Sequence, residues 1–407
     1  MIAALVSPRL IRVGGGAIAQ LPELLAALGL SRPLVITDPY MVSSGLLRRC
    51  LDPMEAAGLH PGVFSDTVPE PTDIVVDAGV AALVDAGVAA LGQMAGQGAY
   101  DCLIGFGGGS PIDTAKAIAI LAEVRATNPA AHMRDVKVPF AADRARLPVI
   151  AIPTTAGTGS EATRFTVITD TERGEKMLIA GLGALPLAAI VDYELTFTVP
   201  PRITADTGVD SLTHALEAFV SRRANAYSDT QARSAMALIG ANLRTAYAEP
   251  RNAPAREAMM LGAMQAGIAF TNASVALVHG MSRPIGARFH VPHGLSNAML
   301  LPAITRFGLE AAQPRYAEAA RIIGMAAPND ADPAAADKLA DGLATLNHDL
   351  DVPTPGAYGI DKRDWDAALP MMADQAIASG SPANNPRVPT KDEIVALYQV
   401  VWSGNRV

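Results

Sequence analysis

The chain has 407 residues, half of them hydrophobic and 18% charged, and a formal net charge of −8. This length favours two domains, the apolar fraction excludes a chain that is disordered throughout, and the acidic balance without a basic stripe argues against nucleic acid as a partner. Two cysteines are too few for a disulfide framework, and charges interrupt every apolar run before it reaches the length of a membrane span, so we expect a cytoplasmic protein with no membrane partner.

The first half of the chain alternates short apolar runs with stretches of helical pattern. Four runs are short, continuous and followed by turn residues, as in buried parallel strands. They are Leu34–Thr37, Cys102–Phe106, Val149–Pro153 and Ala188–Asp192. Helices are predicted between them at Ala78–Gln97 and Ile112–Val124. Strand, loop and helix in repeated order indicate an α/β domain.

A glycine-rich segment, FGGGSPIDTAKAIAI, follows the strand Cys102–Phe106 and opens a helix. Its glycines allow the backbone to turn sharply and approach a ligand. Ser110 is predicted to cap the helix, with Pro111 in its first turn. The free N–H groups and the dipole at a helix N-terminus favour a phosphate. The alternative is a tight strand-to-helix turn that binds nothing.

Two other polar loops also follow predicted strands. Asp38 ends LVITD, where a carboxylate accepts hydrogen bonds from a ribose diol and repels a 2′-phosphate, favouring NAD over NADP; an ordinary turn aspartate is the alternative. This differs from the Rossmann fingerprint, whose acidic residue follows the glycines by about 20 positions. The segment PTTAGTGSEAT follows the strand Val149–Pro153 and offers hydroxyls and glycines. Three such loops together predict a nucleotide site, because ligands of open α/β sheets bind at the carboxyl ends of strands.

The second half of the chain loses the strand pattern after about Thr196 and becomes rich in Ala, Leu and Met with a helical period. The helical pattern is broken at Pro250–Pro254, Pro284–Pro292 and Asp351–Pro355. We therefore predict an α/β domain over residues 1–195 and an all-helical domain over residues 196–407. Thr390 and Glu393 form a capping box that is predicted to begin the last helix.

A helix predicted from about Thr204 carries the text TGVDSLTHALEAFVS. Asp210 and His214 are four residues apart, so they lie one above the other, and Glu217 continues the same stripe. A carboxylate and an imidazole placed in this way can hold a divalent metal, with Glu217 as a supporting partner. The alternative is an ordinary surface pair of Asp and His.

Residues 278–294, VHGMSRPIGARFHVPHG, contain three of the seven histidines. His279 and His293 are predicted to complete an Asp, His, His, His set, which leaves His290 over. Imidazole and carboxylate ligands suit Fe(II) or Zn(II), and four protein ligands leave room for a substrate oxygen. The spacing alone also allows His293 simply to cap a loop.

Four segments together resemble the signature segments of the iron-containing (group III) alcohol dehydrogenase family, in order and spacing over essentially the whole chain. They are GGGSPIDTAK, PTTAGTGSEAT, DSLTHALEAFVS and HGMSRPIGARFHVPHGLSNAMLLP. The resemblance implies an α/β N-terminal dinucleotide-binding domain plus an all-α C-terminal metal-binding domain, an architecture shared with dehydroquinate synthase. It also implies reversible hydride transfer between a small alcohol and NAD, with Fe(II), or else Zn(II), as the metal, and a homodimer.

The resemblance also carries functional residues onto this chain by motif position. It implies that the metal ligands, which act in catalysis through the metal, are Asp210, His214, His279 and His293. The implied cofactor contacts are Asp38, Gly108, Gly109, Ser110, Asp113, Thr154, Thr155 and Lys176.

Three positions depart from the usual family pattern. Glu70 stands between two prolines where asparagine is usual, and Phe165 occupies a position that is often polar. Arg283 stands where a histidine is usual. Because arginine is permanently charged and presents a planar fork, we predict that Arg283 contacts an anion, either the cofactor pyrophosphate or an acidic substrate. A structural salt bridge with a nearby carboxylate is the alternative.

Other functions compete with alcohol oxidation. Reduction of an acidic keto substrate, as in maleylacetate reductase, would use an anion-binding residue such as Arg283. The cyclisation performed by dehydroquinate synthase would need a basic phosphate-binding cluster, which the sequence does not present. A catalytically silent nucleotide-binding protein is the third alternative. No general base is apparent beside the ligands. His290 could relay a proton, but we expect it to be a loop histidine that faces solvent.

Overall fold

The computed structural model describes residues 4–91, 100–138 and 140–404, and these form two compact units. An α/β unit comprises residues 6–155 and 159–197, and a helical unit comprises residues 156–158 and 198–404 together with residues 4–5. The change of unit after Phe197 lies two residues beyond the bound proposed from the sequence. Ala156–Thr158 belong to the helical unit, whereas the division proposed from the sequence placed them in the α/β domain.

The strands of the α/β unit form one parallel sheet and a separate antiparallel hairpin. They are β1 (Leu10–Val13), β2 (Pro33–Ile36), β3 (Gly62–Phe64), β4 (Cys102–Gly107), β5 (Val149–Pro153), β6 (Phe165–Asp170), β7 (Glu175–Ala180) and β8 (Ala188–Val191). The order across the parallel sheet is β1-β8-β5-β4-β2-β3, and β6 pairs with β7. The four predicted strands are confirmed as β2, β4, β5 and β8, with ends displaced by at most one residue.

The strands β1 and β3 and the β6–β7 hairpin were not predicted from the sequence. β1 and β3 are the edges of the parallel sheet, are only four and three residues long, and are partly exposed. They therefore lack the continuous apolar run that identifies a buried strand. β6 alternates between buried and half-buried residues, as expected for a strand with only one face against the core.

Helices cover both faces of the parallel sheet. They are α1 (Leu21–Ala27), α2 (Pro39–Ser43), α3 (Arg48–Ala56), α4 (Asp73–Leu91) and α5 (Gly109–Arg125). Leu103 on β4 packs in a core with Ile118 of α5, whereas its neighbour Ile104 packs in a second core with Leu24 and Met54. This alternation explains why the central strands are apolar on both faces. The predicted helices correspond to α4 and α5, and residues 92–97 of the first prediction lie outside the described residues.

The helical unit contains no strand among its described residues, as the sequence predicts. Its helices are α6 (Pro201–Val220), α7 (Ala226–Ala248), α8 (Ala253–Ala273), α9 (Leu277–Phe289), α10 (His293–Gly308), α11 (Gln313–Ile323), α12 (Asp332–Asp349), α13 (Pro355–Tyr358), α14 (Lys362–Ala378) and α15 (Lys391–Trp402). α6 is buried along most of its length. The capping box of Thr390 and Glu393 is confirmed at the start of α15.

The break predicted over Pro284–Pro292 is shorter than expected. α9 continues through Pro284 and ends at Phe289, followed by His290 in a left-handed conformation with φ of 54°. Among the described helices, none is by itself long and apolar enough to cross a membrane. α8 and α9 meet these criteria only as a pair, across a bend of 105°.

Candidate functional site

The four predicted metal ligands converge in the helical unit. Asp210 and His214 lie on α6, His279 lies in the first turn of α9, and His293 is the first residue of α10. One potential ligand atom from each of the four lies within 4.8 Å of those of the other three. Asp210 Oδ1 is 3.8 Å, 3.6 Å and 3.9 Å from the Nε2 atoms of the three histidines in chain order.

This donor set fits a divalent first-row metal. Bonds of about 2.0–2.2 Å in tetrahedral geometry separate ligand atoms by about 3.4 Å, which is close to the observed spacing. Imidazole with one carboxylate is the donor chemistry that Fe(II) and Zn(II) accept. Three of the side chains are at most 5% exposed, whereas His293 is 36% exposed. The cluster is therefore accessible on the side of His293.

Close backbone packing brings the start of α10 to α6. A Cβ on Gly294 would lie 2.5 Å from the carbonyl oxygen of Asp206 and 3.4 Å from Cβ of Asp210. No larger residue fits there without a shift of one helix. Glycine after His293 therefore allows that histidine to approach the ligands on α6.

Glu217 fixes the orientation of His279. Its Oε2 accepts from His279 Nδ1 at 2.7 Å and from the backbone N–H of Ala276 at 2.9 Å, while its Oε1 accepts from that of Val278 at 2.6 Å. Because an ionised carboxylate only accepts, Nδ1 carries the hydrogen, and Nε2 of the neutral ring is the nitrogen available to a metal. This is the supporting arrangement that the stripe on α6 predicts.

Burial and neighbouring charge set the protonation of the cluster. Burial lowers the pKa of His214 to about 4, so its imidazole is neutral near neutral pH. Burial opposes ionisation of Asp210, yet the surrounding imidazoles hold its pKa well below the usual range. For His279, burial lowers the pKa, but the carboxylates of Asp210 and Glu217 outweigh this effect and raise it. A metal would therefore compete with a proton mainly at His279.

Sequence reasoning missed Asn297, which lies on α10 four residues after His293. Its Nδ2 is 2.6 Å from Asp210 Oδ1, 3.3 Å from His279 Nε2 and 3.2 Å from His293 Nε2. An amide donor that faces three ligand atoms indicates that these atoms direct lone pairs towards one point. The signal was available, since the i, i+4 spacing on a helix places Asn297 beside His293.

Aromatic stacking and a hydroxyl support the imidazole rings. The ring of His214 stacks between those of Phe270 and His279, with centroid distances of 4.3 Å and 4.5 Å. Ser282 Oγ lies 3.2 Å from His293 Nδ1, the nitrogen that points away from Asp210. Each ring is therefore positioned by a contact outside the cluster.

Arg283 lies one helical turn after His279 on α9, and burial lowers the pKa of its guanidinium to about 10. Its Nη1 donates to Ser381 Oγ at 3.0 Å. Among the described residues, no carboxylate oxygen lies within 4.0 Å of the guanidinium. The alternative of a structural salt bridge is therefore wrong for the described part of the chain. His290 is exposed at the end of α9, as its predicted place in a loop requires.

The glycine-rich turn of the α/β unit follows β4. α5 begins at Gly109, and Gly108 is its N-cap residue. The prediction that Ser110 caps this helix is wrong, because the helix begins earlier and Ser110 Oγ instead accepts from the backbone N–H of Glu70 at 3.3 Å. Gly107 has φ of 147°, and a Cβ there would lie 2.6 Å from Pro111, so the turn requires glycine.

Asp38 and the two predicted threonines lie beside this turn. Asp38 caps α2 by accepting from the backbone N–H of Met41 at 2.9 Å through Oδ1, while its Oδ2 lies 3.4 Å from the position of a Cβ on Gly107. The Thr154 N–H donates to the Gly107 carbonyl at 2.9 Å, and a Cβ on Gly108 would be 3.7 Å from Thr155 Oγ1. The carboxyl ends of β2, β4 and β5 thus bring these residues together, as expected for a nucleotide site.

Asp113 and Lys176 have partners within the α/β unit. The carboxylate of Asp113 accepts from Ser160 Oγ and from the backbone N–H of Val167 at 2.9 Å. Lys176 on β7 forms an ion pair with Glu70, the residue that stands where the family usually has asparagine. The Glu70 backbone in turn contacts Ser110, so this pair borders the glycine-rich turn.

A buried lysine that sequence reasoning missed lies behind the same turn. Lys116 Nζ donates to the carbonyl oxygens of Ser160, Thr163 and Phe165 at 2.6–3.1 Å. Burial lowers its pKa to about 8, and burial raises the pKa of nearby Glu161 to about 7. A single lysine in an apolar helical run was the available signal. Lys116 holds the segment that connects β5 to β6.

Comparison with known proteins accounts for both units. The model of the iron-containing alcohol dehydrogenase family matches residues 8–193, and the model of the C-terminal domain of that family matches residues 204–402. The chain belongs to the iron-containing alcohol dehydrogenase family. The resemblance of the four signature segments and the predicted fold class are therefore confirmed.

Individual relatives cover nearly the whole chain. Lactaldehyde reductase of Escherichia coli K12 is 35% identical over 96% of this chain and 97% of its own. NADPH-dependent butanol dehydrogenase of Clostridium saccharobutylicum is 33% identical over 98% of each chain. The crystal structure of a 1,3-propanediol oxidoreductase has a TM-score of 0.90 and 32% identity, covering 98% of this chain and all of the other. The chain is a metal-dependent alcohol and aldehyde oxidoreductase of a family that uses NAD(H) and iron.

Proposed function

We propose that the chain is an Fe(II)-dependent dehydrogenase of small primary or secondary alcohols that prefers NAD to NADP. It also runs in reverse as an aldehyde or ketone reductase. The observation that carries this proposal is the cluster of Asp210, His214, His279 and His293, whose ligand atoms lie within 4.8 Å of one another. We assign the α/β nucleotide-binding domain to residues 1–195 and the metal-binding domain to residues 196–407.

The four residues of the cluster are the proposed metal ligands. When bound, a divalent metal lowers the pKa of an alcohol oxygen and polarises a carbonyl group. Asp210, His214 and His279 are buried and fix the site, while the greater exposure of His293 supports entry of a small substrate on its side. Glu217 keeps the Nε2 lone pair of His279 directed at the cluster.

The residues proposed to bind the cofactor, either directly or through a neighbour, lie in the α/β unit. They are Asp38, Gly108, Gly109, Ser110, Asp113, Thr154, Thr155 and Lys176. Proximity at the carboxyl ends of β2, β4 and β5 supports Asp38, Gly108 and Thr155 as direct contacts. The Thr154 hydroxyl is buried and has no hydrogen-bond partner among the described residues, as a group reserved for a ligand would be. Asp113 already accepts two hydrogen bonds, so we assign it an indirect role through Ser160.

The proposed reaction needs no side chain of the protein as a general base. The carbinol carbon gives a hydride to the nicotinamide, and the hydroxyl proton passes to solvent. Exposure of His290 at the end of α9 supports a position away from this chemistry.

We further propose a cytoplasmic homodimer. Cys50 and Cys102 are both free and buried, as expected for a protein of a reducing compartment. The dimer is the expectation of the family resemblance, and sedimentation velocity of the purified protein tests it.

The test combines metal analysis with a substrate panel. The purified protein is expected to contain about one iron per chain. It should reduce NAD with small alcohols and oxidise NADH with the matching aldehydes and ketones, followed at the nicotinamide absorbance. Turnover that persists after complete metal removal would contradict the proposal. Protein that retains no metal after added Fe(II) or Zn(II) and shows no turnover would favour a catalytically silent nucleotide-binding protein.

A further inference from the structure

Arg283 is the feature of the helical unit that alcohol oxidation leaves unexplained. Its guanidinium donates to the Ser381 hydroxyl, and no carboxylate of the described residues lies within 4.0 Å of it. Several other arginines of the helical unit pair with a carboxylate instead. Arg315, for example, is half-buried like Arg283, but it pairs with Asp229.

The carboxylate whose charge acts on Arg283 already has other hydrogen-bond partners. Glu217 acts on Arg283 through its charge alone, because its two oxygens accept from His279 and from two backbone N–H groups. A half-buried guanidinium that is left without an anion loses part of its hydration uncompensated, which costs free energy. An arginine kept in this state has its charge available for an anionic ligand.

The sequence around Arg283 ties it to the metal cluster. His279 precedes it by four residues on α9, so the two side chains emerge from the same side of the helix one turn apart. The preceding residue, Ser282, lies 3.2 Å from His293 Nδ1. Arg283 is thus carried by the helical turn that supports two of the four proposed ligands.

We propose that Arg283 binds a carboxylate group of the substrate, so that the preferred substrates are hydroxy acids and the corresponding oxo acids. The inference rests on the proposed function, since it names the substrate class for the same metal site. The planar guanidinium forms two parallel hydrogen bonds with a carboxylate, which a histidine at this position cannot do. The substrate carboxylate does not react. The carbinol carbon gives its hydride to NAD, and the hydroxyl proton goes to solvent.

The test compares substrates that differ only in charge. The ω-hydroxy acids of two to five carbons are each paired with the diol of the same length, and kcat/KM is measured with NAD for each pair. The wild-type protein is expected to prefer the acid by about 10- to 100-fold at the best chain length, the range of one charge-assisted contact. Preference for the diol at every length would overturn the inference, while turnover of the diols would leave the proposed function standing.

Variants of two arginines on α9 assign the preference. Arg283→Gln should lower the ratio of acid to diol kcat/KM by about 10- to 100-fold, and Arg283→Lys should lower it less, because lysine keeps the charge without the fork. Arg288→Gln is the matched control, since it removes an exposed arginine of the same helix. It should leave the ratio unchanged. A ratio unaffected by Arg283→Gln would overturn the inference.

A binding measurement separates substrate contact from other roles. Calorimetry with glutarate, which has a carboxylate and no hydroxyl to oxidise, should show binding to the wild-type protein and to Arg288→Gln, and at least tenfold weaker binding to Arg283→Gln. A raised Kd for NADH in Arg283→Gln, with an unchanged acid-to-diol ratio, would assign the arginine to the cofactor phosphates and refute substrate contact. A lowered Tm with unchanged binding of both ligands would leave only a structural role. Wild-type protein that binds no iron and turns over neither the acids nor the diols would instead refute the proposed function.

Discussion

Glu217 and His279 are joined by a hydrogen bond of 2.7 Å, which determines the ring nitrogen that His279 presents to Asp210. The two residues are 62 positions apart in sequence and come from different helices. Two backbone N–H groups at the start of α9 bind the same carboxylate, so Glu217 positions the helix as well as the ring. The proposed metal site therefore depends on a residue that does not touch the metal.

Replacement of this carboxylate tests that dependence. Glu217→Gln keeps the size of the side chain but removes the charge, which weakens the hold on His279 Nδ1 and lowers the basicity of Nε2. We expect the Kd for Fe(II) or Zn(II) to rise by about 10- to 100-fold. Chelator competition measures it. Glu257→Gln, at an exposed position of α8, is the control and should leave the Kd unchanged. Equal affinity of the wild type and Glu217→Gln would show that Glu217 has only a structural role.

A ligand deletion tests the cluster itself. His279→Ala removes one of three imidazoles and leaves Glu217 without its side-chain partner. We expect loss of turnover together with loss of bound metal, measured as kcat and as metal per chain by elemental analysis. His290→Ala, which changes the exposed histidine directly after the end of α9, should retain both. If His279→Ala kept its full metal content but had no turnover, His279 would not be a metal ligand and would have another role in catalysis.

Local periodicity explains how much of this site could be predicted from the sequence. The four-residue spacing of Asp210 and His214 places both on one side of α6, and the structure shows both side chains in the cluster. Continuous apolar runs likewise identify β2, β4, β5 and β8, because these strands are buried on both faces. Patterns that arise within one element were therefore predictable.

Features that depend on contacts between distant segments were not. The spacing places Asn297 beside His293, but its contact with Asp210 on another helix, at 2.6 Å, appears only in the structure. Arg283 has no carboxylate within 4.0 Å among the described residues, and residue spacing in the sequence cannot predict that. Ser110 was predicted as a cap because its residue type suits one, but the cap is Gly108 and the helix begins at Gly109, two residues earlier than predicted. Edge strands such as β1 were not predicted, because a partly exposed strand lacks a continuous apolar run.

Asp38 provides a test of cofactor choice. A carboxylate beside the glycine-rich turn should repel the 2′-phosphate of NADP, so the wild-type protein is expected to prefer NAD. Asp38→Gly should lower the ratio of kcat/KM for NAD over NADP by about tenfold, the size of one lost charge repulsion. Asp38 also caps α2, so Asp38→Asn serves as a partner variant that keeps the cap and removes only the charge. Equal efficiency of the wild type with both cofactors would refute the assignment.

Glu161 provides a test of pH-dependent stability. Burial raises its pKa from 4.5 to about 7, although its own backbone N–H and the charge of Lys116 oppose this effect. A carboxyl group whose folded pKa exceeds its unfolded pKa stabilises the fold below the unfolded value, and this contribution is lost as the pH rises through the folded value. Glutamine is neutral throughout, so Glu161→Gln should gain Tm relative to the wild type between about pH 5 and pH 7. Glu172→Gln, which changes an exposed glutamate of the same unit, should show a difference in Tm that varies little over this range. A Tm difference for Glu161→Gln that is constant with pH would mean that Glu161 does not titrate in this window.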